Sequence, residues 1–466
     1  MLFNSFPFLF LFLPGALALY FGLARLGWPR LATISLVATS LAFYGYWDWR
    51  FLGLICGSTL FNYAIGGAVR KHRHRGVLIA GVSANLLLLG FFKYAGFAVQ
   101  SVDALVHTHF PAPHIVLPLA ISFYTFTQIA FIVDAYQGRA EEMNLPRYGL
   151  FVFFFPHLIA GPIVHHKEIM PQFAAPGARK WNAENFSAGL AWLTLGLFKK
   201  VMIADTCAPW ANRVFDYRGQ VTILEAWIGV LAYSMQLYFD FSGYSDMAIG
   251  LSWMFNVRLP DNFNAPYRAE SIIDFWRRWH ITLSRFLRDY LYIPLGGNRL
   301  GEARRYMNLM VTMILGGLWH GAGWTFLAWG AFHGALLALN HLWASLGLAL
   351  PRSLGRVLTF LAVMVGWCFF RSPDMEKARR LLVSMTDISS FRLESLPTFP
   401  GLTAVAMLLL LVAFVNFAPT TKDWIESRTL DAREAIMLSL LFCVCLFFMR
   451  DVVLNLKRSE FIYFQF

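Results

Sequence analysis

A chain of 466 residues that is 58% hydrophobic and only 14% charged has too little polar surface for a water-solvated domain, which carries about 25% charged residues. Apolar stretches of roughly 17–25 residues recur along its length, which is the signature of an all-α integral membrane protein forming a single transmembrane domain, 1–466. The net charge of +12 is read as positive cytoplasmic loops, not as a nucleic-acid surface.

The first segment, "MLFNSFPFLFLFLPGALALYFGLARLGWPR", lacks a basic leader and a small-residue cleavage site, so it is expected to be the first span and not a signal peptide. Further spans are expected near 31–47, 51–69, 76–96, 115–136, 148–163, 186–204, 223–250, 306–319, 324–346, 354–370, 401–418 and 434–449. With the first, near 6–23, this gives about 11–13 transmembrane and re-entrant helices. Arg25, Arg30 and the run "RKHRHR" (70–75) become cytoplasmic together if residue 1 faces outside, following the positive-inside rule. The loop histidines His107, His109 and His114 show no site pattern.

The segment "FFFPHLIAGPIVHHK" (153–167) is short and broken by Pro and Gly. Irregular backbone at membrane depth survives only inside protein or against a water-filled cavity, so a cavity is expected. His157, His165 and His166 have no zinc spacing and are read as polar lining. Cys56, Cys207, Cys368, Cys443 and Cys445 form no metal or disulfide pattern and are read as packing residues. No metal site is expected.

"LYFDFSGYSDMAIG" (237–250) buries Asp240 and Asp246 in an apolar run. Intramembrane carboxylates face a cavity or pair with a base or cation; these two could orient a histidine, cap a broken helix or shuttle protons, and both are candidate substrate-binding residues. The longest interruption between spans is 261–299, where Ser271 and Asp274 begin a capped helix. At helical spacing Arg277, Arg278, Arg285 and Arg288 fall within roughly 100° of one another. One amphipathic interfacial helix is therefore expected, its arginines either snorkelling to lipid headgroups or binding a phosphorylated ligand.

In "LGGLWHGAGWTFLAWGAFHG" (315–334), His320 lies deep in an apolar segment. It is either a hydrogen-bonded structural histidine or a general base in a dry tunnel. The flanking Gly316, Gly317, Gly321 and Gly323 permit close backbone approach. His280 and His333 are weaker candidates. The residues alone leave two classes open: an acyltransferase, or a transporter or polysaccharide exporter using His320, Asp240 and Asp246 as a proton relay. No duplicated halves with paired broken helices favour the latter.

"DFWRRWHITLSRFLRDYLYIPLGGNR" and "LGGLWHGAGWTFLAWG", with "FFKYAGF", "LPLAISFYTF", "FKKVMIAD" and "YFDFSGYSDMAIGL", resemble the membrane-bound O-acyltransferase family, and within it the alginate O-acetylating branch. The resemblance covers most of the chain. It implies a ring of helices around a central tunnel, a catalytic base at His320 and a second functional histidine at His280. Trp276, Arg277, Arg278 and Trp319 stand in the matching motifs and are candidate substrate-binding residues, the arginines because a guanidinium fork suits the phosphates of CoA and not because the family assigns them that role. It further implies acetyl transfer from a cytoplasmic thioester, acetyl-CoA, through a periplasmic or membrane-anchored acetyl-accepting protein to a secreted or cell-wall polysaccharide, with cellulose, peptidoglycan and other exopolysaccharides open as the polymer. The setting implied is a bacterial inner membrane, with no bound cofactor.

The sequence ends in an aromatic tail, 459–466, containing Phe461, Ile462, Tyr463, Phe464 and Phe466. Teichoic-acid D-alanylation looks similar at this point, since a small companion protein there ends in such a motif. The likeness implies Tyr463 as an acyl carrier activated by His320. The alternative is an interfacial aromatic anchor.

Overall fold

The computed structural model describes residues 1–107, 111, 113, 115–140, 143–393, 401–427, 431–454, 461 and 462. Tyr463, His109 and His114 lie outside the described residues. The described residues form helices joined by turns and irregular segments, with no strand among them. Among the described residues six helical stretches are long and apolar enough to cross a membrane: Phe8–Arg25, Pro29–His72, Arg75–Val106, Ala183–Phe215, Arg352–Arg371 and Ala432–Arg450. The expected spans at 115–136 and 401–418 are shorter helices, Ile121–Tyr136 and Leu402–Phe417.

The exterior supports the membrane assignment. Leu402–Phe417 buries Ala404, Leu408, Leu411 and Val415 at helical spacing, yet leaves Leu410 and Phe417 70% and 85% exposed. An outward face that apolar suits hydrocarbon, not water.

Two compact units are present, residues 1–195 with 244–260, and residues 196–243 with 261–466. In the first, the broken segment runs as Leu145–Phe153, the single turn Phe155–Leu158 and irregular backbone to His165. Every residue from Tyr148 to His166 is buried, so the interruption is enclosed by protein, as irregular backbone at membrane depth requires. His166 is fixed there by Asp134 Oδ2 at 3.3 Å and the Arg139 carbonyl at 3.1 Å. It ties down a chain corner. His157 and His165 are likewise buried in this unit.

The second unit carries a helical hairpin, Glu302–His320 followed by Trp324–Ser345. Gly317 and Gly330 let the two backbones touch. A Cβ on Gly317 would sit 2.2 Å from the Phe326 carbonyl oxygen, and one on Gly330 would sit 2.4 Å from that of Met313. Of the four glycines expected to allow close approach, Gly317 and Gly321 do so most tightly.

The expected single amphipathic helix is broken. Ile272–Arg278 ends at Trp279, His280 takes a left-handed conformation at φ +43°, and Ile281–Leu287 starts anew before the π-turn Arg288–Tyr292. The cause is a brace from upstream chain. Asn264 N–H donates to the Arg278 carbonyl and Ile281 N–H to the Asn262 carbonyl, so the backbone on both sides of His280 is bonded outside its own helix. Arg277 and Arg278 thus no longer share one helical stripe with Arg285 and Arg288. Arg278 pairs with Asp274 at 2.9 Å, Arg288 with Asp289 at 2.7 Å, and Arg277 is exposed.

Candidate active site

His320 is the last residue of its helix, and Gly321 leaves in extended conformation. The side chain is 5% exposed. Trp319, Trp329 and Phe370 present themselves to the imidazole edge-to-face, with ring centres 4.9, 5.2 and 5.2 Å away. These rings exclude bulk water from three directions. The fourth neighbour is His280, at 6.4 Å.

His280 is fully buried. Its Nδ1 donates to the Asn262 side-chain oxygen at 3.0 Å, which also accepts from the Thr282 hydroxyl at 2.9 Å. That acceptor places the hydrogen on Nδ1 and leaves Nε2 as the lone-pair nitrogen of the neutral ring. The break in the helix is thus what turns His280 inward: the same asparagine holds the backbone and the tautomer. The ring of Phe241 stands edge-on to His280 at 4.7 Å.

His333, also fully buried, sits one layer away, 4.9 Å from Trp329 and 5.3 Å from Trp276. Trp276 is therefore a wall of the aromatic layer, while Arg277 is exposed and Arg278 half-buried. Trp319 touches both histidines.

Asp240 is 1% exposed and sits beside Phe241 in the long helix Ile223–Met254. Its Oδ1 lies 2.5 Å from Lys200 Nζ, which also donates to Asp205 at 2.9 Å. Its Oδ2 accepts the backbone N–H of Ile462 at 3.0 Å. Ile462 and Phe461 are buried, and the Phe461 ring packs against Phe241 at 5.7 Å. Asp246, on the stretch of the same helix that belongs to the first unit, is buried there.

Of the residues singled out from sequence, the fold thus gathers His320, His280, Trp319, Trp276 and Asp240 in one unit, with Phe461 and Ile462 of the tail. Lys200 and Asn262 were not anticipated. For Lys200 the signal was available, since Lys200 and Asp205 interrupt the apolar "FKKVMIAD" and charges at such depth need partners. Asn262 carries no such signal, because an asparagine in a polar loop is ordinary. Among the described residues no group of three His, Cys, Asp or Glu side chains is placed to hold a metal ion.

Comparison with known proteins adds to this geometry. A model of the family "MBOAT, membrane-bound O-acyltransferase family" matches residues 135–348. The chain is 44% identical to the peptidoglycan O-acetyltransferase of Helicobacter pylori over 427 residues, 84% of this chain and 81% of that protein. It is also 44% identical to the probable alginate O-acetylase AlgI of Pseudomonas aeruginosa, over 90% of this chain and 81% of that protein. A more distant likeness, 27% identity over 65% of this chain and 78% of the other, is to the teichoic acid D-alanyltransferase of Bacillus subtilis.

Proposed function

Starting from the fact that the chain belongs to the membrane-bound O-acyltransferase family, we propose that it passes acetyl groups from cytoplasmic acetyl-CoA across a bacterial inner membrane to a polysaccharide, with His320 as base and Tyr463 as acyl carrier. The acceptor class follows the relatives, whose names specify peptidoglycan and alginate. An acetyl-accepting partner protein on the far side would relay the group to the polymer.

The observation that carries this reading is the placement of His320: buried at a helix end, walled by Trp319, Trp329 and Phe370, and facing a second histidine. In the first step the imidazole of His320 takes the phenol proton of Tyr463 as its oxygen attacks the thioester carbonyl. The new O–C bond forms, the C–S bond breaks, and the thiolate leaves with the proton that His320 returns. In the second step an acceptor hydroxyl gives its proton to His320 and attacks the aryl ester carbonyl; the new O–C bond forms, the bond from the carbonyl carbon to the Tyr463 oxygen breaks, and the phenolate takes the proton back from His320. A phenol with pKa near 10 leaves more readily than an alkyl alcohol. Apolar walls keep water from hydrolysing the ester between the two steps.

The test is intact mass of the purified protein after incubation with acetyl-CoA. A gain of one acetyl group mapped to Tyr463, absent in Tyr463→Phe and His320→Ala, is the expected result. Release of CoA from unmodified wild type would replace the carrier with direct transfer from thioester to acceptor.

A further inference from the structure

The pair Lys200–Asp240 is costly as mere packing. Both side chains are at least 95% buried, and taking two charges out of water sacrifices several kcal/mol per ion, so apolar residues of similar volume would hold the helices as well. What a carboxylate offers instead is direction. Lys200 occupies one oxygen of Asp240 and the Ile462 N–H the other, in a charge-assisted hydrogen bond to a single backbone donor. Lys200 itself lies in a seven-residue π-helix, Phe198–Ala204, a widened turn of the sort that recurs at functional sites.

The tail segment makes a second contact in step with the first. Ile462 meets Asp240 while its neighbour Phe461 meets Phe241, the ring that packs against His280. From Phe461 a continuous line of ring contacts runs through Phe241 and His280 to His320. A slide of the segment by one residue would take the N–H off the carboxylate and the phenyl ring off Phe241 together. That loss penalises a slip of one residue in either direction.

We propose that Asp240, held by Lys200, is a positioning residue: a latch that receives the Ile462 N–H and sets the register of the segment carrying Tyr463. The positioning role rests on the acyl-carrier reading above; the docking contact does not. The ligand class of the Asp240 site is accordingly an aromatic peptide in extended or single-turn conformation, supplied by this chain.

Hydrogen exchange read by mass spectrometry on the full-length protein in detergent tests the docking. A C-terminal peptide spanning residue 462 is expected to hold one slowly exchanging amide in wild type and to exchange at least tenfold faster in Asp240→Asn. Equal exchange in both proteins, or no protection in wild type, overturns the latch whatever happens to the acetyl label. A second variant, Ile462→Pro, removes the donor and keeps both charges, which guards against misfolding of Asp240→Asn. In both variants kcat for acetyl transfer is expected to fall tenfold or more with KM for acetyl-CoA unchanged. The double variant should lose no more than either alone. Faster exchange with undiminished turnover overturns the carrier reading and the positioning role with it, leaving a docking contact only.

Discussion

Burial lowers the imidazole pKa of His280 to about 3, against about 6.5 in an unfolded chain. Between those values the unfolded chain binds the extra proton and the folded one does not, so stability is fully present above pH 6.5 and falls as pH drops toward 3. At pH 5 the deficit from this one group is roughly 2 kcal/mol. Thermal unfolding in detergent should therefore show a midpoint that falls between pH 7.5 and 5, and a shallower fall in His280→Gln. For His320 the expected effect is on rate: His320→Ala should lower acetyl transfer by about 10²–10⁴-fold, the usual worth of a positioned base. Both histidines were legible in the sequence, because an ionisable side chain inside an apolar run is conspicuous. Their mutual distance was not. It depends on Asn262, whose side chain reaches back from eighteen positions upstream, and no local pattern announces that.

The presence of apolar helices was readable at the level of elements because lipid-facing helices impose length and apolarity, but their number and ends were not: among the described residues six are long and apolar enough to cross a membrane, where about 11–13 transmembrane and re-entrant pieces were expected. The break at His280 was not readable. Aromatic and arginine residues continue at helical spacing straight across it, so the pattern describes one helix while the hydrogen bonds from Asn262 and Asn264 make two. The π-turn at Phe198–Ala204 escaped for a related reason, since a search at 100° per residue is blind to a wider turn. The hairpin of Glu302–His320 and Trp324–Ser345 was half legible. Its glycines marked close approach, but Gly330 gained meaning only once it was seen against the Met313 carbonyl. That contact is with backbone, which cannot swing aside. Gly330→Ala should therefore cost on the order of 1–3 kcal/mol through overpacking, measured as a lower unfolding temperature, and should reduce acetyl transfer by displacing the helix end that carries His320.

Across the whole molecule, charge sets orientation. The tight turn between Leu52–His72 and Arg75–Leu89 is basic and exposed, with Arg73 at φ +46°. A cysteine at His72, in a protein with the native cysteines replaced, should react with a membrane-impermeant maleimide in inside-out vesicles and resist it in intact spheroplasts. The opposite pattern would invert the expected topology. The buried Phe461 and Ile462 belong to the same chain as Asp240 and Phe241, and this covalent tie has an inhibitor's consequence. A tethered segment competes at an effective concentration on the order of millimolar. A free peptide copying the tail would have to match that figure before it displaced the native one, whereas in a tail-truncated variant the same peptide is expected to find Asp240 and Phe241 uncovered and to restore turnover at far lower dose.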